Sequence, residues 1–545
     1  MAYGAAPAQP DQPGRLAYKW KVLISVIFGI FMIILDTTVV NVAFQTIRRE
    51  YNTSLSNSQW IISVYVLALG IATPMSGFLA DRFGIKRMYV GGLAAFVIGS
   101  LLCGLAPTIS SSIWLLVAAR AVQGFSGGVA QPLGSAQLYR TFPPKEQGIA
   151  LGYFGIALVV APALGPILGG WLVDQGLWRW IFFINIPIGI VGVTLANRFL
   201  REYLPDRKPV LDPFGLATAV VGFGAVLYAA SIASDQGWTS PAVLTWFAVG
   251  GVALLVFALV ELFVAKDPLL NLRLFASPTF LTASLIGYVT VLGLFGAEFL
   301  MPVYLQALRG RTALQTGFTL LPLALTSGVI TPLAGRLYDR IGPRMLVVTG
   351  FTLLALNTWQ LSQIQGDTPI GWLLFLFALR GAALGLTVQT TFATALGAVP
   401  RAALARGSSL INGTRFVVQS IAVALLATVL ASALSPAVKD LQNQFQGQAV
   451  AAEQAGTARP FGLCETPGVP ADQNLPPGVP AAAGPQVRPA IQQACAEYLN
   501  GFEAAYKLTF YVALIAIVIG LFMPGWPRAW AGRSAPGEAP APAAH

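Results

Sequence analysis

Fourteen separate apolar runs, each long enough to cross a bilayer as a helix, constrain this 545-residue chain more than any other feature. They fall at about 22–44, 59–80, 88–106, 113–138, 148–172, 180–200, 214–232, 243–264, 279–305, 316–337, 345–363, 371–396, 408–434 and 506–526. Runs of this length exclude barrel strands, which are about 10 residues long and alternate in polarity. Composition agrees, with 10% charged residues where soluble domains carry about 25%. The expected class is an all-α integral membrane protein. The first run is too long for a signal-peptide core and is followed by many others, so it reads as the first membrane span.

The net charge of +11 does not point to nucleic acid, because the basic residues occupy short loops between apolar runs. With the N-terminus inside, the cytoplasmic loops hold most of the Lys and Arg, including Arg82, Lys86, Arg87, Arg140, Lys145, Arg336, Arg340 and Arg344. The expectation is a multi-pass protein of the cell (inner) membrane, bathed in membrane lipids, with both termini cytoplasmic. The lone histidine is His545, and no G-x-x-x-x-G-K-[ST] phosphate loop occurs. No metal site, ATPase or nucleophile–base constellation is visible, so no cofactor and no enzymatic activity are expected. Cys103 lies in an apolar run and reads as a small buried hydrophobe.

The segment 435–505 interrupts the pattern. It is long, placed outside, and rich in Pro, Gly, Ala and Gln, so it is expected to be largely disordered or loosely packed. Cys464 and Cys495 within it either form a disulfide in an oxidising exterior or remain free. The tails 1–21 and 527–545 read as flexible cytoplasmic ends.

An internal repeat organises the remainder. Thr73-Pro74-Met-Ser-Gly77-Phe-Leu79-Ala-Asp81-Arg82-Phe-Gly84 returns as Thr331-Pro332-Leu-Ala-Gly335-Arg-Leu337-Tyr-Asp339-Arg340-Ile-Gly342, with seven of twelve positions identical at an offset of 258. Near the same offset Arg120 and Gly124 answer Arg380 and Gly385. The reading is two six-helix bundles in parallel repeat, 22–200 and 279–526, with two additional helices in 201–278. Parallel halves meeting at a midplane site are a transporter design.

These residues resemble a known family. The loop GFLADRFGIKR (Gly77–Arg87) is similar to the cytoplasmic signature of the major facilitator superfamily, and LLVAARAVQGFSGG (Leu115–Gly128) to its fourth-helix motif. Ala161-Pro162-Ala163-Leu164-Gly165-Pro166-Ile167-Leu168-Gly169-Gly170 resembles the antiporter motif of the fifth helix. LDTTVVNVA (Leu35–Ala43) and WRWIFFINIPIG (Trp178–Gly189) resemble the fourteen-helix drug:proton antiporter branch, of EmrB/QacA type. The resemblance implies a proton-coupled antiporter that exports small amphipathic or lipophilic compounds by alternating access, a multidrug efflux protein. An endogenous metabolite or lipid as cargo shares every motif. A membrane scaffold or sensor on the same fold, using the outer loop to dock a periplasmic adaptor, is the reading of another class.

Charged residues inside spans are costly and mark candidate sites. Asp36 and Arg120 are expected to carry proton coupling, the arginine tuning the carboxylate; the alternative is a static buried pair. Glu298 is either a second proton site or a carboxylate near the outer end of its helix. Arg380, Arg415, Asn412 and Gln419 are candidates for the substrate cavity, against simple bonding to carbonyls of neighbouring helices. Gly77, Asp81, Arg82, Gly84, Arg87, Asp339 and Arg340 form a candidate cytoplasmic gate, in which carboxylates meet helix termini and opposite charges. Pro162, Gly165, Pro166, Gly169 and Gly170 make a small-residue hinge expected to seal one bundle against the other, or only to pack closely. Two acids against three arginines within the spans leave anionic, neutral and zwitterionic cargo open.

Overall fold

The computed structural model describes residues 17–204, 209–210, 212–439, 461–464, 475 and 484–523. The described residues form helices and turns, with no strand among them. The first half comprises α1 (Tyr18–Glu50), α2 (Leu55–Phe83), α3 (Ile85–Ile109), α4 (Ile113–Thr141), α5 (Gln147–Asp174), and one span broken into α6 (Trp180–Phe183) and α7 (Asn185–Phe199). A hairpin follows, α8 (Pro213–Gln236) and α9 (Pro241–Leu259). The second half contains α10 (Pro278–Val303), α11 (Ala313–Ile341), α12 (Pro343–Leu361), α13 (Ile370–Gly397), α14 (Leu404–Ser432) and α15 (Gly484–Leu521).

Every expected apolar run lies on a helix. Twelve helices are long and apolar enough to cross a membrane among the described residues, and α10 contributes a shorter apolar stretch, Pro278–Gly293. Helix α12 falls outside that count because Arg344, Asn357 and Gln360 dilute it. One of these polar insertions has a use: Asn357, with its neighbour Thr358, is buried and receives hydrogen bonds from Arg380.

Helix packing repeats as the sequence does. In the first half α4 packs on α2 and α3, α1 on α5 and α7, and α3 on α7. In the second, α13 packs on α11 and α12, α10 on α14 and α15, and α12 on α15. Glycines permit the closest approaches. A Cβ on Gly124 or Gly128 of α4 would collide with the α2 carbonyls of Tyr65 and Leu69, and one on Gly381 of α13 with the α11 carbonyl of Leu323. Without a hydrophobic drive between helices in lipid, such backbone contact is a main source of association.

Two seams join the halves. Helices α5 and α11 run antiparallel in contact along most of their length, from Gly148 against Gly335 to Ile167 against Gly317. On the other side α14 packs on α2 near one face of the molecule. Toward the opposite face α8 fills the space between them. Its Tyr228 stacks on Trp60 of α2, and the indole N–H of Trp238, just beyond its end, donates to Thr428 of α14 at 2.6 Å. Helix α9 leans on α8 and presents Leu244, Val252 and Leu255 outward, as a lipid-facing helix does.

The polar segment departs from expectation. Helix α15 begins at Gly484, about six turns before the apolar run, and buries Ile491, Ala494, Tyr498 and Phe502. Spacings of three and four put these on one stripe facing the ends of α10 and α12. Cys464 and Cys495 are bonded, with Cα atoms 5.3 Å apart. The segment 461–464 is pinned as well, Leu463 and Cys464 donating backbone N–H groups to the carbonyls of Ala307 and Leu308. The 435–505 segment is therefore partly built into the second half. Its residues 440–460, 465–474 and 476–483, and the tails 1–16 and 524–545, lie outside the described residues.

Candidate functional site

Asp36 sits mid-way along α1 with no exposed surface, and three donors converge on it. Arg120 of α4 donates through Nη1 to Oδ2 at 2.5 Å, while Gln123 and Asn185 donate to Oδ1 at 3.0 and 2.8 Å. Asn185 opens α7 at the break in the sixth span and also donates to Ser100 of α3 at 3.0 Å. The guanidinium is held in turn: Nε donates to the Ile61 carbonyl, Nη1 also reaches Gln123 Oε1, and the Tyr65 ring lies 4.0 Å away. A buried pair survives in a low-dielectric interior only when its remaining donors and acceptors are satisfied, and α2, α4 and α7 supply those partners here. The charge pattern of the sequence singles out Asp36 and Arg120; it does not single out Gln123, Asn185 and Ser100. A signal is nevertheless present, since Gln123 and Asn185 are polar residues inside apolar motifs.

The second half keeps the arginine in a different setting. Arg380 is fully buried and donates to Asn357, Thr358 and the Gly293 carbonyl. It is enclosed between α10, α12 and α13 and bonded to groups of the first two, the arrangement weighed against a cavity position in the sequence. Asn412 likewise turns back on its own helix, donating to the Ser408 carbonyl at 2.8 Å. Arg415 and Gln419 are half-buried on α14. The Glu298 side chain lies outside the described residues.

The face carrying the ends of α2, α11 and α4 and the starts of α3, α12 and α5 is the basic one. It is cross-linked by the ion pair of Lys19 with Glu146 at 2.5 Å and by Arg344 donating to the Met523 carbonyl. Here the repeated Asp-Arg motifs reach across the seams. Asp81, at the end of α2, pairs with Arg406 of α14 at 2.6 Å. Asp339, at the end of α11, accepts from the first amides of α5, Gly148 N at 3.0 Å and Ile149 N at 3.1 Å. One repeat copy uses an opposite charge and the other a helix N-terminus, the two partners expected of such a carboxylate. Gly84 and Gly342 end their helices at φ +102° and +81°, a region that disfavours residues with a Cβ.

Other residues of the candidate gate tie the seam to the linkers. Arg82 donates to the Pro209 carbonyl, and Arg406 to that of Pro268, so the connections flanking the α8–α9 hairpin are fastened to both halves. Arg87 is exposed, 3.8 Å from Glu202, whose carboxylate caps α3 through the amides of Lys86 and Arg87. Arg340 is exposed at the end of α11. Gly77 lies against the Arg406 backbone, and beside it Ser76 and Ser409 bring their hydroxyl oxygens to 2.7 Å. The basic-face half of α4 is buried almost continuously from Ser126 to Tyr139, as is that of α13 from Gln389 to Leu396. The opposite half of α4 leaves Val122 and Phe125 exposed. The seams are shut at the basic face.

The fifth-helix stripe is placed differently from expectation. Gly165 and Gly169 pack on Thr38, Val39 and Val42 of α1, within the first half, and a Cβ on Gly170 would meet nothing. The side of α5 that meets the other half carries Gly148, Gly152, Gly155 and the Pro166–Ile167 step. A helix has several faces. The one richest in motif glycines is turned to α1, while Pro166 lies against α11 at Gly317.

Two helical halves in parallel repeat, a buried ion pair on a central helix, and carboxylates latching both seams at one face define a membrane transporter of the two-bundle type. The chain belongs to the Major Facilitator Superfamily, whose family model matches residues 26–423. It is 33% identical over 409 residues to an uncharacterized MFS-type transporter, YhcA, of Bacillus subtilis, covering 75% of this chain and 76% of that one. A multidrug resistance protein B homolog of Mycobacterium tuberculosis is 31% identical over 492 residues, covering 90% and 86%. The lincomycin resistance protein LmrB of Bacillus subtilis is 27% identical over 438 residues, covering 79% and 90%. Among solved structures, a double Trp mutant of XylE superposes with a TM-score of 0.58 at 13% identity, covering 93% of this chain and 96% of that one. The human organic anion transporter MFSD10 gives 0.53 at 15%, covering 93% and 100%. These two likenesses concern the fold. The family is one of small-molecule transporters, not enzymes.

Proposed function

We propose that this chain is a proton-coupled antiporter that exports small amphipathic or lipophilic compounds, a multidrug efflux protein working by alternating access. The basic face reads as cytoplasmic by the distribution of Lys and Arg, which puts both termini inside and the protein in the cell (inner) membrane. The closed seams then correspond to a state shut toward the cytoplasm. The resistance functions in the names of two relatives support drug-like cargo.

The observation that carries the coupling is the Asp36 centre: a single carboxylate, wholly buried in a span, joined to three donors on two other helices. Protonation removes its charge and weakens its hold on Arg120, so proton binding and helix arrangement are linked through one ion pair. An inward proton gradient drives the cycle with no cofactor. In proteoliposomes with a pH dye, cationic and neutral lipophilic compounds should discharge an imposed gradient through the wild type. Asp36→Asn should abolish substrate-driven proton movement in protein that still elutes as a folded species. Undiminished proton movement in that variant removes Asp36 from the coupling.

A further inference from the structure

Arg415 stands in the middle of α14 without a carboxylate partner among the described residues. Its surroundings are the central helices α10 and α13, so its side chain points into the molecule and not toward lipid. Gly287 of α10 makes the room: a Cβ there would come 2.9 Å from Nη2. The contacts are weak and neutral. Nη2 reaches the Thr391 hydroxyl at 3.4 Å, the limit of a hydrogen bond. The Phe392 ring lies 5.2 Å from the guanidinium carbon, and Nε is buried with no partner among the described residues. Tyr288 is adjacent, its hydroxyl already committed to Thr414 at 2.8 Å.

The contrast with Arg120 is direct. That arginine has Asp36, a glutamine, a backbone carbonyl and an aromatic face, and its charge is cancelled. Arg415 brings a fixed positive charge to membrane depth with donors in hand and no anion among the described residues to receive them. An uncompensated charge there is expensive and marks a pathway. The guanidinium fork matches a carboxylate, phosphate or sulfonate group in geometry as well as charge.

We propose that Arg415 is the recognition point for the anionic group of an amphipathic substrate, received between α10, α13 and α14 with its apolar part beside Phe392. This rests on the export reading above and adds anions and zwitterions to its cargo.

The test uses dansyl-leucine, its carboxamide, and the cation dansylcadaverine, in fluorescence binding to purified protein in nanodiscs and in proteoliposome transport. Wild type should bind the carboxylate about tenfold more tightly than the amide, a difference of about 1.4 kcal/mol. Arg415→Gln should erase that preference while the amide and the cation still bind, and Arg415→Lys should retain part of it. A carboxylate preference that persists in Arg415→Gln, or a wild type that binds the amide or the cation more tightly, overturns the proposal. Binding and transport separate the two readings. Proton movement with the cation but no carboxylate preference sinks this site and leaves export standing. Carboxylate binding lost in Arg415→Gln, with no proton movement for any compound, supports the site and sinks proton-coupled export.

Discussion

Around Asp36 the supporting residues decide what the carboxylate can do. Gln123 and Asn185 keep Oδ1 engaged whether or not Arg120 remains at Oδ2, so charge and position are held by different partners. Removing the arginine leaves a buried anion short of its cation, and breaking such a pair costs about 3–5 kcal/mol. Arg120→Gln should therefore melt at a markedly lower temperature in detergent, and Asp36→Asn combined with it should recover part of the loss. A double variant no more stable than Arg120→Gln alone would show that the arginine acts through Ile61 and Tyr65 instead. Asp36 and Arg120 are legible in the sequence because charges in apolar runs are conspicuous. Which neutral residues meet them is not, since that depends on how α3, α4 and α7 pack. Arg380 is an equally conspicuous charge, and its acceptors on α10 and α12 are as little legible in the sequence.

At the level of helices, the twelve-residue repeat marks both latches by itself, and each copy lies where a seam closes. Sequence does not tell that Asp81 takes an arginine and Asp339 a helix terminus, because the partners lie more than a hundred residues away. The α2–α14 seam offers a direct test of motion. With Ser76 and Ser409 hydroxyls 2.7 Å apart, Ser76→Cys with Ser409→Cys in a Cys103→Ser background should cross-link on mild oxidation and stop transport. Reductant should restore it, with reduced wild type as the control for the native disulfide. Transport undiminished in cross-linked protein would mean that this seam stays shut throughout the cycle. The fifth-helix stripe and α15 depart from expectation for related reasons. A stripe of glycines tells that something approaches closely, not which helix it is. The apolar positions at 491, 494, 498 and 502 are outweighed by the Pro- and Gly-rich composition of the segment around them.

Across the whole molecule, the second half carries an outer cap that does not belong to the repeat. The Cys464–Cys495 bond ties α15 to the 461–464 segment at the end of α10 across a sequence separation of 31 residues, and chain entropy assigns such a closure about 3–4 kcal/mol. Cys495→Ser should lower the melting temperature by several degrees, and reductant should lower the wild type to the same value; no difference between oxidised wild type and the variant would mean that the packing of α15 suffices alone. The hairpin is the larger asymmetry. With α8 wedged between α2 and α14, and α5 against α11 on the other flank, the described helices close both sides of the molecule toward the bilayer in this state. On the export reading proposed above, cargo released from this state leaves end-on, into water, and not sideways into a leaflet. A double-tailed lipid, whose chains would have to trail through a flank during passage, fits this architecture poorly; a compact molecule that can shed its contacts and dissolve fits it well.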